Sequence, residues 1–349
     1  MTDVPEAFAA PLRLRLDGDA LVRNWQTLAR MSGSAACGAA VKANGYGLGA
    51  TAVARRLAGA GCRDFFVSNW HEAAELAPLG LGVSVLHGVR DEDMAHATAG
   101  IARPVLNTPT QVARWKAAGG GACDVMVDTG MNRLGVSAQD IAAGLLEGLE
   151  IETLMSHLAC ADEESPMNAR QRARFAALAG ATGARRLSLA NSAGISLGAD
   201  YAFDLTRPGL ALYGGVPRAD LGGVIAPVVQ PEAQVLQRRV VPAGETVGYN
   251  ATWTAPRDSV VAILNIGYAD GYFRGFSDRG TALVRGTAVG VIGRVSMDLL
   301  AIDVTDIAAV EEGEWVALDL DLAVAANRSG MSQYELLTSL GPRYARVWS

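Results

Sequence analysis

The sequence predicts a (β/α)8 barrel followed by a mainly β domain, with the boundary between residues 226 and 227. Before that boundary, short apolar runs alternate with segments of helical spacing, which is the pattern of parallel strands joined by helices. Beyond it, runs rich in Val and Ile are separated by Gly, Asp or Pro, which indicates strands and little helix. A chain of 349 residues is also long enough for two domains, here residues 1–226 and 227–349.

The barrel prediction depends on eight apolar runs of strand length, with helical segments between them. The runs occur near residues 36–42, 64–69, 83–88, 102–107, 123–129, 151–158, 185–192 and 203–207. The clearest helix start is Thr108-Pro109, where a capping side chain precedes a proline in the first turn. The helix candidates are residues 20–31, 50–57, 71–77, 109–118, 137–147 and 166–180, and an alternating segment, 13–17, precedes them.

The second domain is predicted from a change in the character of the chain near Pro227. We expect its strands at residues 228–241, 260–266, 281–292, 299–304 and 315–320, with one late helix near 331–340.

Composition and charge exclude several classes of protein. The net charge is −6 at pH 7 and no basic block occurs, which argues against nucleic acid as a partner. The four cysteines are scattered, which fits reduced thiols better than a disulfide framework or a metal site. No apolar run is long enough to span a bilayer, and the stretch from Met1 to Arg15 lacks an export pattern. We therefore expect a cytoplasmic protein that binds neither membrane nor metal.

A lysine marks the end of the first apolar run, and a glycine-rich loop follows at once. Lys42 is succeeded by Gly45, Gly47 and Gly49, which break the strand and let the backbone approach a ligand closely. A partly desolvated lysine has a lowered pKa and is suited to form a Schiff base. Alternatively, Lys42 is a surface residue that begins an ordinary loop.

Further candidate side chains follow later strands of the predicted barrel, at the end where barrel enzymes carry their active sites. Arg133 presents a permanent planar donor after the fifth strand, and His157 ends the sixth. Barrel enzymes often bind phosphate in the loops after the seventh and eighth strands, where Ser192 offers a hydroxyl and Gly209 and Leu210 offer backbone N–H groups. Each of these loops, taken alone, is equally well explained as an ordinary turn.

The segment from Ala40 to Gly49 resembles the cofactor-lysine motif of the alanine racemase family, which are pyridoxal-phosphate (PLP) enzymes of fold type III. Matching motifs recur in order at Val127–Gly135, Met155–Leu158, Ser188–Gly194 and Arg207–Leu210. The resemblance implies a barrel that carries PLP and a mainly β domain after it. It also implies that Lys42 holds the cofactor and that Tyr46 contacts the phosphate.

The same resemblance implies roles for the other barrel residues. Arg133 would donate to the phenolic oxygen of PLP and help hold substrate, while His157 would stack on the pyridine ring and bond the catalytic tyrosine. Arg207 would face the pyridine nitrogen, and because an arginine does not readily protonate the ring, the ring becomes a weaker electron sink. The remaining cofactor contacts implied by the resemblance are Asn191, Ser192, Gly209 and Leu210.

Three segments of the second domain also resemble the family. Val247–Trp253 resembles the segment of the second catalytic base, here Tyr249, and Ile266–Gly271 resembles the loop through which substrate enters, here with Tyr268. Arg294–Asp298 resembles the segment in which Met297 and Asp298 line the substrate pocket. In the family these residues reach the site of the other subunit, which implies a homodimer with shared active sites. Without the barrel motifs, the three segments would be glycine turns between strands.

The function implied is PLP-dependent racemisation of alanine that supplies D-alanine for peptidoglycan. Racemisation needs an acid/base group on each face of a planar carbanion, and Lys42 and Tyr249 are the expected pair. The alternatives are a racemase of broader specificity, a decarboxylase of the same plan and a non-catalytic PLP-binding barrel protein. The decarboxylases carry a Gly-rich phosphate loop and a Cys-Glu-Ser-x-Asp segment that are not found here. The binding proteins are shorter and lack the β domain.

The chain departs from the family pattern at several positions. Met126 stands where many relatives have a carbamylated lysine that orients the arginine equivalent to Arg133. Since a desolvated guanidinium without an acceptor is costly, we expect a chloride ion or another oxygen to replace the carbamate, and activity not to depend on carbon dioxide. Ser188 and Leu48 occupy positions at which relatives in the family frequently have a histidine. Near the C-terminus, Tyr344 lies two positions beyond the place of a phosphate-binding tyrosine found in some relatives.

Overall fold

The computed structural model describes residues 10–349. The first nine residues, which are part of the stretch used in the export argument, lie outside the described residues. The described residues form two compact units, one made of Asp19–Ala226 and the other of residues 10–18 together with Pro227–Ser349.

The first unit is a parallel barrel, which confirms the predicted fold class. Seven strands are hydrogen-bonded in chain order: Ala39–Ala40, Asp64–Val67, Gly82–Val85, Arg103–Leu106, Cys123–Met126, Ile151–Met155 and Arg186–Ser188. The eighth strand, Leu205–Thr206, pairs in parallel with Ala36–Cys37, which continues into the first barrel strand. The Arg207 N–H donates to Ala190 O at 2.8 Å, and the Ala40 N–H donates to Pro208 O at 2.9 Å. The eighth strand therefore bridges the seventh and the first.

The first barrel strand is interrupted at Gly38 for a steric reason. A Cβ at this position would lie 2.8 Å from Asp64 O and 2.8 Å from the ring of Phe66. Only glycine allows the first and second strands to approach this closely, because a real Cβ does not tolerate such contacts.

The helices of this unit cover the strands in the predicted order. Thr108 caps one of them by accepting a hydrogen bond from the Gln111 N–H, as the sequence predicted. The helix expected over residues 137–147 is shorter, because Gly144 adopts a φ of 83°. The observed helices are Gly18–Met31, Ala50–Ala60, Trp70–Leu76, Met94–Thr98, Pro109–Ala117, Ala138–Ala142, Pro166–Ala176 and Ser192–Ser196.

The second unit is built on an eight-stranded, mainly antiparallel sheet. Its strands are Leu12–Leu16, Val229–Val241, Ser259–Leu264, Thr281–Val284, Thr287–Ile292, Leu300–Asp303, Trp315–Leu318 and Ala345–Trp348. The run predicted as one strand over residues 281–292 is a hairpin, because Arg285 and Gly286 both have positive φ. The helix expected near 331–340 is Gln333–Thr338; a second helix, Leu322–Ser329, and the strand Ala345–Trp348 were not predicted.

The N-terminal strand belongs to this second unit, whereas the sequence grouped residues 1–226 together. Leu12–Leu16 pairs antiparallel with Val229–Val241 and parallel with Ala345–Trp348. The strand buries Leu12, Leu14 and Leu16 in the core of this sheet, and its two pairings, with partners more than two hundred residues away in the chain, place it in the second unit. Over the part of the chain that the structure describes, no helix is both long and apolar enough to cross a membrane.

Candidate active site

A cavity of about 250 Å³ opens at the carboxyl ends of the barrel strands. It brings together four residues predicted from the sequence, namely Lys42, Arg133, His157 and Arg207, and Met126 also lines it. These residues come from the first, fifth, sixth and eighth strands or the loops after them, and together they span more than 150 residues of the chain. The fold therefore assembles one site from the separate motifs.

The chain leaves Lys42 in one turn of left-handed helix. Ala43, Asn44, Gly45 and Tyr46 all have φ between 52° and 61°. A left-handed conformation costs roughly 1–2 kcal/mol for each residue with a Cβ, so the surroundings must hold the turn. Hydrogen bonds do so: the Gly45 N–H donates to Val41 O at 2.8 Å, and the Ala50 N–H donates to Asn44 Oδ1 at 3.0 Å.

The amine of Lys42 has its pKa lowered from the usual value. Desolvation is the largest cause, and the positive charge of Arg133 acts in the same direction. The carboxylate of Glu72 opposes both and raises the pKa. This environment favours the unprotonated amine, which is the nucleophilic and basic form.

The left-handed turn returns Tyr46 to the barrel, where it forms one side of a narrow cradle. Its ring stacks on Tyr213 with centroids 4.6 Å apart, and the Tyr213 hydroxyl donates to Ala40 O at 2.8 Å. A Cβ on Gly209 would lie 2.2 Å from Tyr46 Oη, so only glycine leaves room for that hydroxyl.

Ser192 forms the other side of the cradle. Its hydroxyl oxygen accepts from the Gly209 N–H at 2.9 Å and from the Ala211 N–H at 3.2 Å. Because both acceptor positions are used, the hydroxyl proton is left to donate, and a phosphate oxygen is a strong acceptor for it. The two hydroxyls and the loops after the seventh and eighth strands fit the phosphate of PLP. Asn191 caps the helix Ser192–Ser196 through its Oδ1, and its contact with the cofactor stays a prediction.

Arg207 is a buried cation held by neutral acceptors. Its Nη1 donates to the Ser188 hydroxyl, and its Nη2 donates to Ser156 O at 2.6 Å. Desolvation lowers the pKa of the guanidinium to about 10, so it remains charged at neutral pH. A fixed positive charge that does not give up its proton suits the position beside a pyridine nitrogen that the sequence predicted for it.

His157 is held neutral at physiological pH. Desolvation and the charges of Arg207, Arg133 and Lys42 lower the pKa of its imidazole to about 3. Its backbone is fixed by Gln171, a fully buried side chain that donates to His157 O at 2.9 Å and accepts from the Ala159 N–H at 2.9 Å. The sequence analysis missed Gln171, because a single glutamine on a helix gives no signal of what it contacts.

The loop that carries Arg133 is shaped by Asp128. The Asp128 carboxylate accepts from the Gly130 N–H at 2.8 Å and from the Asn132 N–H at 3.0 Å. Arg133 itself is exposed and has no hydrogen bond or ion pair with any residue of the described chain. The expectation of a replacement anion assumed that the Arg133 guanidinium is desolvated, and in the single chain it is exposed. Arg133 nevertheless lies at the same cavity as Lys42.

The second-domain candidates all lie in the second unit. Tyr249 is 65% exposed and Met297 is 53% exposed, while the ring of Tyr268 lies 5.3 Å below the Arg274 guanidinium. Asp298 accepts from Arg343 Nη1 at 2.7 Å. Arg343 also makes a bidentate pair with the buried Asp270, a clamp that the sequence analysis missed.

Tyr344 is buried next to this clamp within the second unit. Burial raises the pKa of its phenol well above the usual value. A contact with phosphate remains a prediction for this residue.

The site combines a lysine of lowered pKa with a cradle for phosphate, in a barrel that is followed along the chain by a β unit. These features together define a PLP enzyme of fold type III. The sequence models of the alanine racemase N-terminal and C-terminal domains match residues 16–217 and 228–348. The chain therefore belongs to the alanine racemase family, and it is a PLP-dependent isomerase of that family.

Individual relatives agree over nearly the whole chain. An alanine racemase from Acidiphilium cryptum is 43% identical, over 96% of this chain and 98% of the relative. The crystal structure of alanine racemase from Bartonella henselae, with covalently bound pyridoxal phosphate, has a TM-score of 0.91 and 34% identity over 98% of this chain and 100% of that one. The biosynthetic alanine racemase from Pseudomonas aeruginosa has a TM-score of 0.89 and 32% identity over the same shares.

Proposed function

We propose that this protein interconverts L- and D-alanine by a two-base mechanism in which Lys42 and Tyr249 act on opposite faces of the substrate. The observation that carries the proposal is the Lys42 amine, whose pKa is lowered in the cavity at the barrel mouth. PLP, when bound, supplies an electron-withdrawing ring that weakens the Cα–H bond of the amino acid.

In this mechanism, Lys42 holds or releases a proton at Nζ and Tyr249 does so at Oη. Each enantiomer gives its Cα proton to one of these groups and receives a proton from the other, so that the configuration is inverted. Because Lys42 and Tyr249 reach Cα from different sides, both directions of the reaction use the same two atoms.

The other barrel residues orient the reactants and set the charge around them. Tyr46, Ser192, Gly209 and Leu210 would hold the phosphate, while Arg207 keeps a positive charge beside the ring without protonating it. His157, neutral at physiological pH, is an acceptor or donor for the tyrosine hydroxyl. Arg133, exposed at the cavity, is available to the substrate carboxylate.

The proposal includes a homodimer in which the second domain, residues 227–349, completes the partner's site. Its support is the exposure of Tyr249, Leu299 and Met297, of which Tyr249 and Leu299 line one surface pocket, since a contiguous exposed apolar patch indicates an interaction surface. Tyr268, Met297 and Asp298 would then line the substrate pocket of the other subunit. We place the enzyme in the cytoplasm, where D-alanine is made for peptidoglycan; this part rests on the family assignment.

The test is a circular-dichroism assay of L-alanine with purified, PLP-loaded protein and with its Lys42→Ala variant. The parent should abolish the optical signal of L-alanine as D-alanine accumulates, and the variant should lose both racemisation and the covalently held cofactor. A parent that binds PLP through Lys42 and leaves the signal of L-alanine unchanged would contradict the proposal and favour the non-catalytic alternative.

A further inference from the structure

Glu72 ties the end of the Lys42 strand to the end of the neighbouring strand. One carboxylate oxygen accepts from the Ala43 N–H at 2.8 Å, and the other accepts from the Ser68 N–H at 2.7 Å. Ala43 is the residue immediately after Lys42, and Ser68 immediately follows the strand Asp64–Val67. Glu72 takes no part in the binding and proton-transfer steps of the proposed function.

The position of Glu72 is itself fixed by its helix. Asn69 caps the helix Trp70–Leu76 by accepting from the Glu72 N–H at 3.0 Å, which sets Glu72 in the first turn. A carboxylate has two oxygens and no donor, so it satisfies two separate N–H groups at once. A glutamine at this position would satisfy one of them and turn its NH₂ group toward the other.

The Ala43 N–H has a particular need for this partner. It is the first backbone donor of the left-handed turn, and the turn carries three residues whose Cβ disfavours the conformation, Ala43, Asn44 and Tyr46. The same turn sets the direction of Lys42 and brings Tyr46 back to Gly209. Fixing the Ala43 amide therefore fixes both the lysine and the phosphate cradle.

We propose that Glu72 is a positioning residue for Lys42: its carboxylate bridges the amides of Ala43 and Ser68 and so fixes the strand end that carries the lysine. This inference rests on the proposed role of Lys42. Charged or titratable groups that line the cavity around that amine are Arg133, His157, Arg207, Asp128 and His87. Glu72 is the carboxylate that acts on the Lys42 charge, and it offsets part of the effect of Arg133.

The experiment compares three variants in the full-length, PLP-loaded protein. Glu72→Gln removes the charge and one acceptor, whereas Glu72→Asp keeps the charge but is too short by one methylene to span both amides. Glu75→Gln on the same helix is the control, because Glu75 is exposed and pairs with His71 at 3.4 Å. The measurements are residue-resolved amide hydrogen exchange, kcat and KM for alanine, and the pH profile of kcat.

We expect exchange at Ala43 and Ser68 to accelerate about 10-fold or more in both Glu72 variants, with amides of the second unit unchanged. We expect kcat to fall by a larger factor than the factor by which KM changes. In the direction of racemisation in which Lys42 is the base, the acid limb of the kcat profile, which reports groups in the substrate complex, should move to lower pH in Glu72→Gln and stay in place in Glu72→Asp. Glu75→Gln should match the parent throughout.

Unchanged exchange at Ala43 and Ser68 in Glu72→Gln would overturn the bridge. Faster exchange with parental kcat and pH profile would overturn the positioning role. If Glu72→Gln does not fold, Glu72→Asp decides the bridge by the same exchange measurement. Retention of covalent PLP by Lys42→Ala would overturn the proposed function instead. The hydrogen-exchange results on the Glu72 bridge would remain valid in that case.

Discussion

Arg207 donates to the hydroxyl of Ser188, and that hydroxyl donates in turn to Leu205 O. A serine oxygen thus serves a buried guanidinium where many relatives of the family have a histidine. The serine is shorter and always neutral, so it gives Arg207 an acceptor without adding a charge that could compete with it. This short chain of hydrogen bonds also links the seventh and eighth barrel strands.

Ser188→Ala should therefore destabilise the protein, because it leaves one N–H of a buried guanidinium without its acceptor. We expect a loss of about 1–3 kcal/mol in the free energy of unfolding, measured by urea denaturation. Ser196→Ala is the matched control, since the Ser196 hydroxyl is buried and has no hydrogen-bond partner among the described residues. An equal loss in both variants would show that the Arg207 bond contributes nothing specific.

Gly209→Ala should weaken the binding of PLP while leaving the fold intact. The new Cβ would lie 2.2 Å from Tyr46 Oη and would push that hydroxyl out of the cradle. We expect at least a 10-fold rise in the dissociation constant, corresponding to about 1.4 kcal/mol, measured by titrating the apoprotein with PLP. Gly121→Ala is the control, because a Cβ there has open space and no positive φ to strain. Parental affinity in Gly209→Ala would mean that the phosphate lies elsewhere.

The low pKa of His157 predicts a loss of stability in acid. Its pKa is about 3 in the folded protein and near 6.5 in the unfolded chain, so between these values the unfolded state binds the additional proton. The stabilising contribution is complete above pH 6.5 and is lost progressively as the pH falls towards 3. His157→Asn should reduce the slope of unfolding free energy against pH in this window by up to about 1.4 kcal/mol per pH unit. His71→Asn, which removes an exposed ring, is the control substitution.

Much of this fold follows from the sequence, because buried parallel strands read as continuous apolar runs and all eight runs became barrel strands. The lysine was placed correctly at a strand end for the same reason. The left-handed turn was not predicted, since Ala43 and Tyr46 are not residues that mark positive φ. The roles of Glu72 and Gln171 also escaped, because each depends on partners brought near by the fold.

The N-terminal strand illustrates a second limit. The alternation at Leu12–Leu16 indicates a strand with one buried face but does not say which sheet it joins. Its partner, Val229–Val241, lies more than two hundred residues further along the chain. Local pattern fixes the face that is buried, whereas the choice between sheets depends on long-range packing.

A shared active site predicts complementation between two inactive variants. Lys42→Ala and Tyr249→Phe should each be inactive, because each lacks one of the two bases. When the two proteins are mixed under conditions of subunit exchange, hybrid dimers should regain activity, since one of their two sites has both bases. Mass spectrometry would confirm the hybrids, and hybrids without activity would contradict the shared site. Mixing Lys42→Ala with itself is the control.

The last prediction concerns Met126, a buried residue beside Lys42 and Arg133 in the cavity. A methionine cannot form a carbamate, and the exposed Arg133 does not need one for solvation in the single chain. Activity of the parent should therefore be the same in bicarbonate-free and bicarbonate-containing buffer. Replacing chloride with a bulky anion at constant ionic strength should lower activity only if the dimer encloses Arg133 together with a bound chloride ion.

Met126→Lys is a sharper test, because it places an amine in a cavity that is already lined by the guanidinium groups of Arg133 and Arg207. Unmodified, the lysine would be an uncompensated charge at a buried position and should lower the melting temperature by several degrees. Carbamylation would convert it to an anion facing Arg133, so bicarbonate should restore both stability and activity of this variant. Met126→Leu keeps the volume without the amine and should be indifferent to bicarbonate. A bicarbonate response in the parent or in Met126→Leu would show that another group forms the carbamate.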